Sequence, residues 1–318
     1  MKNEGKSFAG LDNLLSSLTV GEDEKHRNLK VFPIFSSGAG NNGYTLLQDA
    51  LKSKKFLVTE VDESGNVPNL KVVNQLEEDV LILDGEALVG AKQNRIVNTT
   101  IIIGKKKEIV IPVSCVEEGR WGYTRRNFTA GRSNLYANLR KKKAKSVTKN
   151  LKVSQSYRSD QGEIWDDISD KAERLSVNSG THNMHDIYNS YEDKLKKYEK
   201  AFSPKPGQAG FIAMINGRVV GFDIFGTGNI LPKVYQSLLR GYILDALDMD
   251  MTGTKTPLKK KTDLKKKAVT FLEGLRTAKR SAFKSVGEGD DLRLEGNSAN
   301  GFALVHNNKI VHLAAFAE

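Results

Sequence analysis

The sequence of 318 residues contains a single cysteine, Cys115. One thiol excludes an internal disulfide and a metal site built from several thiolates, and the scarcity of cysteine favours a reducing compartment. No apolar run reaches the length of a membrane-spanning helix, and the N-terminal residues lack the apolar core of a secretory signal peptide. The sequence therefore predicts a soluble, cytoplasmic protein with no membrane partner.

Recognisable nucleic-acid-binding motifs are also lacking, although the formal net charge is +11. No aromatic RNA-recognition signature, zinc finger or helix-turn-helix pattern accompanies the clustered lysines and arginines. The clusters are Arg140–Lys152, Leu258–Lys267 and Arg276–Lys284. Such runs favour either a surface that attracts phosphate groups or solvated helix faces and linkers. Nucleic acid is therefore a candidate partner on charge alone.

Alternating short strands and helical periodicities predict an α+β fold. Residues 1–30 are predicted to form a helix and a connector, and residues 31–124 a β-rich, mostly antiparallel part. Residues 125–154 are polar and basic without hydrophobic periodicity, which predicts a long loop, either mobile or folded over a site. Residues 155–318 combine helices with a hairpin sheet, and we expect them to pack with residues 31–124 as one compact unit.

Two segments in the C-terminal third predict related hairpins. Asn216-Gly217 stands at the centre of the first and Asn307-Asn308 at the centre of the second, as is typical of two-residue turns. Between them, a helix is predicted to begin near Asn229 with Pro232 in its first turn. Glycines precede this helix, a pattern that favours anion binding, although it lacks the lysine of a P-loop.

The densest polar cluster in an apolar setting follows the predicted strand Val80–Leu83. It contains Glu86, Gln93, Asn94 and Arg95. The carboxylate and the amides supply hydrogen-bond acceptors, and the guanidinium supplies a two-point donor for a nucleotide or a sugar. The alternative is a polar turn whose side chains hydrogen-bond to one another.

A second cluster surrounds the cysteine. Arg120 beside Trp121 suits stacking on a base together with pairing to a phosphate, and a core tryptophan beside a surface arginine explains the pair equally well. A nucleophilic Cys115 needs a neighbouring base, and all five histidines are remote in sequence, so a buried structural cysteine is favoured. Asp223, just before the helix, is a catalytic carboxylate, a ribose acceptor or a strand-end residue.

Four longer segments carry most of these polar positions in one order. They are LDGEALVGAKQNRIVNTT, IPVSCVEEGRWGY, SQSYRSDQGEIWDDI and INGRVVGFDIFGTGNILPKVYQSLLRGYILDAL. Together they resemble the ARPP domain family, named for its association with ADP-ribosylglycohydrolases and with rhodanese-like or phosphatase proteins. The resemblance implies a place in NAD or ADP-ribose metabolism. Its matching positions are Glu86, Gln93, Asn94, Arg95, Cys115, Glu117, Arg120, Trp121, Ser154, Gln155, Trp165, Arg218, Asp223 and Arg240.

With this resemblance, the favoured hypothesis is a protein that binds an NAD-derived or ADP-ribose-like nucleotide, as a sensor or by sequestering it. Arg95 and Arg120 would engage phosphates, and Trp121 would stack on adenine. Glu86 and Asp223 would accept hydrogen bonds from ribose hydroxyls. The full predicted ligand-binding set is Glu86, Gln93, Asn94, Arg95, Arg120, Trp121, Gln155, Arg218, Asp223 and Arg240.

Two alternatives stay open. The first is a hydrolase for the same ligand class, in which Glu86, Glu117 or Asp223 is the general base. A divalent cation would then be a candidate cofactor; otherwise the sequence predicts no cofactor and no metal site. The second alternative is a nucleic-acid-binding protein. The sequence predicts no oligomeric state and does not decide between binding and turnover.

Overall fold

The computed structural model describes residues 2–37, 43–253 and 263–318. The basic segment Leu258–Lys267 therefore lies partly outside the described residues. Eight helices are present in the described residues: α1 Lys2–Ser17, α2 Leu47–Lys52, α3 Ala137–Ser154, α4 Gln161–Arg174, α5 Met184–Ser190, α6 Glu192–Glu199, α7 Leu231–Met251 and α8 Leu264–Arg276. None of these helices is long and apolar enough to cross a membrane.

The same residues form eighteen strands. The first nine are β1 Leu18–Val20, β2 Glu24–His26, β3 Leu29–Ser36, β4 Thr45–Leu46, β5 Phe56–Glu60, β6 Asn69–Asn74, β7 Val80–Ile82, β8 Glu86–Gly90 and β9 Arg95–Val97. The others are β10 Ile101–Ile103, β11 Glu108–Cys115, β12 Phe128–Asn134, β13 Gln208–Ile215, β14 Arg218–Phe225, β15 Lys279–Lys284, β16 Asp290–Glu295, β17 Ala299–His306 and β18 Lys309–Ala317. The predicted α+β class is confirmed.

An antiparallel nine-stranded sheet forms the central layer, in the order β1-β3-β13-β14-β18-β17-β16-β15, with β2 also paired to β3. Both predicted hairpins, β13–β14 and β17–β18, lie in it, and β14 pairs with β18. Positive φ angles at Asn216 and Gly217, and at Asn307 and Asn308, fit the expected turns. β3 belongs to this sheet, so the strand predicted at residue 31 pairs with the C-terminal hairpins.

Both faces of this sheet are buried. Along β13, Phe211 and Ala213 join one apolar core with α7, whereas Ile212 and Met214 join a second core with α1 and α8. This alternation is the two-residue period of a strand, and apolar residues at both phases indicate cover on both sides. Consequently α7 packs on the same face as α3 to α6.

A six-stranded sheet in the order β12-β8-β9-β11-β6-β5, and a small sheet β10-β7-β4, form the other β layer. Most pairs are antiparallel, as predicted, and β4 with β7 is parallel. A third apolar core lies among these strands and includes Leu88, Val97 and Phe128. Strand β12 brings this layer against α7.

The loop predicted for residues 125–154 is wrong, because this stretch contains β12 and the 18-residue helix α3. The helix could not be recognised from hydrophobic periodicity, because buried cations interrupt the apolar pattern on its inner face. Arg140 and Lys143 are each 1% exposed, among apolar neighbours such as Leu139 and Val147. The predicted N-terminal connector likewise contains two short strands, β1 and β2.

Candidate functional site

A polar cleft of about 390 Å³ opens between α2, β8, β12, α6 and α7. Small-molecule sites usually enclose about 300 to 1,000 Å³, so the cleft has room for a small ligand. Eight charged residues line it in equal numbers of each sign. The acids are Asp49, Glu86, Glu192 and Glu199, and the bases are Arg132, Lys196, Lys233 and Arg240. Among the predicted ligand-binding residues, Glu86 and Arg240 lie here.

Glu86 is the first residue of β8, placed by a tight turn. Gly85, with φ +76°, allows the turn, and Leu83 donates its backbone N–H to Glu86 Oε2 at 2.7 Å. Burial raises the pKa of Glu86 to about 7. The carboxyl group therefore exists in both protonation states near neutral pH, and it can either accept or donate a hydrogen bond in the cleft.

Arg240, on α7, holds the opposite wall together. Its Nη1 donates to Glu199 at 2.6 Å, its Nη2 pairs with Glu192, and its Nε donates to Ser133 at 2.9 Å. These bonds join α6 and β12 to α7. Because its nitrogens are already engaged and the residue is only 7% exposed, Arg240 shapes the cleft more than it offers free donors.

The accessible positive charge comes from three exposed residues of the rim. Arg132 ends the exposed part of β12, Lys196 lies on α6, and Lys233 lies in the first turn of α7. Lys196 is 3.6 Å from Glu192, whereas no described residue forms an ion pair with Lys233. The N-terminal end of a helix also carries partial positive charge, which adds to the attraction for an anion.

A second polar group, centred on Arg95, lies outside this cleft. Pairing of β9 with β8 and β11 sets Arg95 between Leu88 and Cys115. Its Nη1 donates to Gln93 Oε1 at 2.9 Å, and Cys115 Sγ donates to the same oxygen at 3.0 Å. Cys115 is fully buried, and burial raises its pKa, in agreement with the structural role favoured from the sequence.

Arg120 is tied to its own loop. Its Nη2 donates to Glu117 Oε2 at 2.6 Å, and its Nη1 donates to the carbonyls of Ala91 and Gly122, each at 2.8 Å. Glu117 Oε2 also accepts the backbone N–H of Asn94 at 3.1 Å. These bonds match the alternative interpretation of the cluster, a polar turn whose side chains hydrogen-bond to one another. Both terminal nitrogens of Arg120 are already engaged, so no free donor pair supports its predicted contact with a phosphate.

Trp121 lies on the surface beside this group. It is 47% exposed and is therefore not a core residue. The Arg95 guanidinium carbon lies 5.7 Å from its ring centroid, and Lys92 Nζ lies 5.3 Å from it. Distances of this size are typical of cation–π contacts. The indole thus covers Arg95 and shields it from solvent.

Asp223 belongs to a third group, in the centre of the fold. Arg140 donates to both of its oxygens, at 3.0 and 2.8 Å, and Tyr242 Oη adds a bond at 2.7 Å. His312 Nε2 lies 3.1 Å from Oδ1. Burial acts to raise the pKa of Asp223, but the charge of Arg140 and the hydrogen bonds from Arg140 and His312 hold it far below its usual range. Fully buried and fully bonded, it lacks the access that a ribose acceptor or a general base requires.

The remaining predicted residues lie elsewhere. Gln155 is the exposed residue that ends α3, with φ +54°. Arg218 lines a different cavity of about 310 Å³, which Glu318 also lines. Sequence reasoning missed Arg132, Lys196 and Lys233, because exposed bases are common in a chain with 49 lysines and arginines. The one available signal was the helix start at Pro232, which places Lys233 in the first turn.

The basic run Arg140–Lys152 is mostly neutralised within the protein. Lys142 pairs with Asp167 at 2.5 Å, and Lys145 and Lys152 pair with Glu318 and Glu295. A phosphate-attracting surface needs unpaired charge, so this run no longer favours nucleic acid as a partner. Within the described ranges, no group of three or more His, Cys, Asp or Glu side chains is arranged to hold a metal ion.

Comparison with known proteins gives one match. The family model of ARPP-1, the ARG and Rhodanese-Phosphatase-superfamily-associated Protein domain, matches residues 17–316. No curated protein and no solved structure matches the chain significantly. The family match spans all three sheets, the cleft and the Arg95 group. The chain therefore belongs to the ARPP-1 family, as the four polar segments of the sequence predict.

Proposed function

We propose that this protein binds an NAD-derived or ADP-ribose-like nucleotide in the cleft between β8, β12, α6 and α7. The observation that carries the proposal is the composition of the cleft, where four carboxylates and four cations line about 390 Å³. A nucleotide with sugar and phosphate groups needs both kinds of partner. The family name, which refers to ADP-ribosylglycohydrolases, supports the same ligand class.

The phosphate groups would lie at the rim formed by α7 and β12. Lys233 and Arg132 are exposed there, and a planar guanidinium can hold two phosphate oxygens at once. The partial positive charge at the start of α7 acts in the same direction. Lys196, which is also exposed, would add charge from the opposite helix.

The ribose would lie deeper, next to Glu86. Carboxylates accept hydrogen bonds from vicinal hydroxyls, and a partly protonated carboxyl can also donate one. Glu86 is suited to both roles because its pKa is raised to about 7. Glu192 and Glu199 line the same cleft, but Arg240 already engages both of them.

Isothermal titration calorimetry with ADP-ribose and NAD tests this assignment. We expect Lys233→Gln and Arg132→Gln each to weaken binding roughly tenfold, the usual size for one charge-assisted contact to phosphate. Lys197→Gln is the matched control, since it removes the same charge from α6 but lines a different cavity. Equal affinity in the wild type and in both rim variants would contradict the proposed cleft, as would no binding of either nucleotide.

Glu86 also supports a second candidate, a hydrolase acting on the same ligand. A general base is most effective when its pKa lies near the working pH, and Glu86 meets this condition inside an open cleft. Glu86 would then take a proton from water as the water oxygen bonds to the ligand, while the bond from that ligand atom to the leaving group breaks and the leaving group takes up a proton from solvent. Arg240 and its two glutamates would hold α6 and α7 in place around it.

Incubation of ADP-ribose with the protein and magnesium or manganese, followed by mass spectrometry, separates the two candidates. A hydrolase converts the ligand in the wild type and loses conversion in Glu86→Gln while ADP-ribose binding persists. A binding protein returns the ligand at its starting mass. Conversion that survives in the folded Glu86→Gln variant would rule out Glu86 as the base.

A further inference from the structure

A second cavity, of about 600 Å³, opens beside α6, between the β2–β3 turn and the C-terminal end of α7. It shares no lining residue with the cleft. Different residues of the same helix line the two: Glu192, Lys196 and Glu199 line the cleft, whereas Lys194 and Lys197 line this cavity. A volume of about 600 Å³ is within the usual range for sites that bind small organic molecules.

The charge of this cavity is strongly positive. Four permanent cations line it, namely Arg27, Lys194, Lys197 and Lys200, against one carboxylate, that of Asp250. Arg27 already pairs with Asp250 at 3.1 Å. The three lysines are exposed, and none of them forms an ion pair with a carboxylate in the described part of the chain. The cavity, hereafter the basic cavity, therefore attracts an anion with two or three negative charges.

The spacing of the three lysines indicates how such an anion distributes its charge. Lys194, Lys197 and Lys200 follow at three-residue intervals along α6 and its C-terminal end, so their Cα atoms span about 9 Å of helix. Lys194 Nζ lies 4.7 Å from the ring centroid of Tyr191, a contact that holds the ammonium group without neutralising it. Charges spread over this length are matched best by several anionic groups held apart on one framework, rather than by one phosphate or sulfate ion.

The buried part of the lining is apolar. Leu247 and Tyr198 are 4% and 2% exposed, and Met251 adds a partly exposed thioether. The hydroxyl of Tyr198 is engaged, because it donates to Asn28 Oδ1 at 3.1 Å. His26, which also lines the cavity, packs edge-to-face against the Tyr198 ring, with centroids 4.5 Å apart. This surface suits an apolar or aromatic framework between the anionic groups.

The basic cavity lacks the acceptors that a sugar needs. Among the described residues that line it, Asp250 is the only carboxylate, and Arg27 already engages it. The cleft, in contrast, offers Glu86 and as many carboxylates as cations. A ligand rich in hydroxyl groups, such as ADP-ribose, therefore matches the cleft better than the basic cavity.

We propose that the basic cavity is a second binding site, for a small organic anion that carries two or three separated anionic groups on an apolar framework. Lys194, Lys197 and Lys200 pair with the anionic groups at the rim. Tyr198 and Leu247 contact the framework below them. The site is independent of the nucleotide proposed for the cleft.

Isothermal titration calorimetry with three probes at constant ionic strength tests both halves of the proposal. Benzene-1,3,5-tricarboxylate carries three separated charges on a ring. Propane-1,2,3-tricarboxylate keeps the charges without the ring, and benzoate keeps the ring with one charge. We expect saturable binding of the benzene tricarboxylate, and binding of each other probe weaker by about tenfold or more, because each lacks one kind of contact.

Two adjacent lysines of α6 form a matched pair of variants. Lys197→Gln is expected to weaken binding of the benzene tricarboxylate roughly tenfold, and Lys194→Gln combined with Lys197→Gln roughly a hundredfold. Lys196→Gln removes the same charge from the side of α6 that lines the cleft, and should leave this binding unchanged. All three lysines are exposed, so the variants are expected to keep the fold.

Lysines near the C-terminal end of a helix also stabilise it through the helix dipole, a role that requires no ligand. No saturable binding of the benzene tricarboxylate is the result of that role alone, and it overturns the proposal. Equal affinity for the benzene tricarboxylate and either comparison probe overturns it as well, as does equal affinity in Lys196→Gln and Lys197→Gln. None of these outcomes depends on ADP-ribose, so failure here is distinguishable from failure of the cleft assignment.

Discussion

The guanidinium of Arg140 forms a two-point ion pair with Asp223 at the centre of the molecule, at 3.0 and 2.8 Å. Its Nε also donates to Asp84 at 3.1 Å, and Lys143 pairs with the other oxygen of Asp84. All four side chains are at most 1% exposed. These bonds tie helix α3 to both β layers, and each buried charge depends on its partners for stability.

Arg140→Met is therefore expected to lower the free energy of unfolding by about 3 to 5 kcal/mol, because it leaves Asp223 buried without its principal counterion. Urea unfolding followed by circular dichroism measures the change. Lys149→Met, at an exposed position of the same helix, is the control and should stay within about 0.5 kcal/mol of wild type. Equal losses of unfolding free energy in the two variants would show that the buried ion pair contributes no more to stability than an exposed lysine.

Gly85→Ala is expected to destabilise the turn that presents Glu86. The φ of +76° disfavours any residue with a Cβ, and that atom would overlap the side-chain oxygen of Asn134. Displacing Asn134 also breaks its 3.0 Å bond to the carbonyl of Asp84, so a loss of about 2 kcal/mol or more is expected. Gly180→Ala meets no atom within 4 Å and serves as the control in the same thermal or urea unfolding measurement.

The raised pKa of Glu86 predicts that the stability of the fold depends on pH. Its folded-state pKa of about 7 lies above the ordinary 4.5, so the folded protein favours the protonated form. Ionisation of Glu86 therefore lowers the free energy of unfolding. This loss is absent below pH 4.5, grows as the pH rises toward 7, and reaches its full size of about 3 kcal/mol above pH 7. Glu86→Gln cannot ionise and escapes this penalty.

Unfolding free energies of the wild type and Glu86→Gln at about pH 5 and about pH 8 test this dependence, because the other titrating groups contribute equally to both proteins. We expect the variant to gain stability relative to the wild type at the higher pH. A difference between the two proteins that does not change with pH would show that Glu86 titrates normally.

The sequence predicts those parts of the fold that depend on local signals. Asn216-Gly217 and Asn307-Asn308 mark turns through positive φ angles that few other residue pairs adopt, and Pro232 marks a helix start. Helix α3 was missed because its partners are distant. The carboxylates that neutralise Arg140 come from positions 84 and 223, and nothing near residue 140 reveals them.

For the candidate site, the sequence identifies the polar residues but not their grouping. Glu86 and Arg95 are nine positions apart and were predicted to act together, yet the first lines the cleft and the second lies beneath Trp121. Asp223 was placed with them because it precedes the predicted helix and matches the family resemblance, but the register that buries it beside His312 is set by pairing of β14 with β18. Strand pairing, which spans the whole chain, decides which polar side chains meet.

A crystal structure of the protein with ADP-ribose tests the central claim most directly. The account predicts the nucleotide in the cleft, with its phosphates beside Arg132 and Lys233 and a ribose within hydrogen-bonding distance of Glu86. Nucleotide bound outside the cleft, for example stacked on Trp121, would contradict the assignment, as would an empty cleft at saturating ligand.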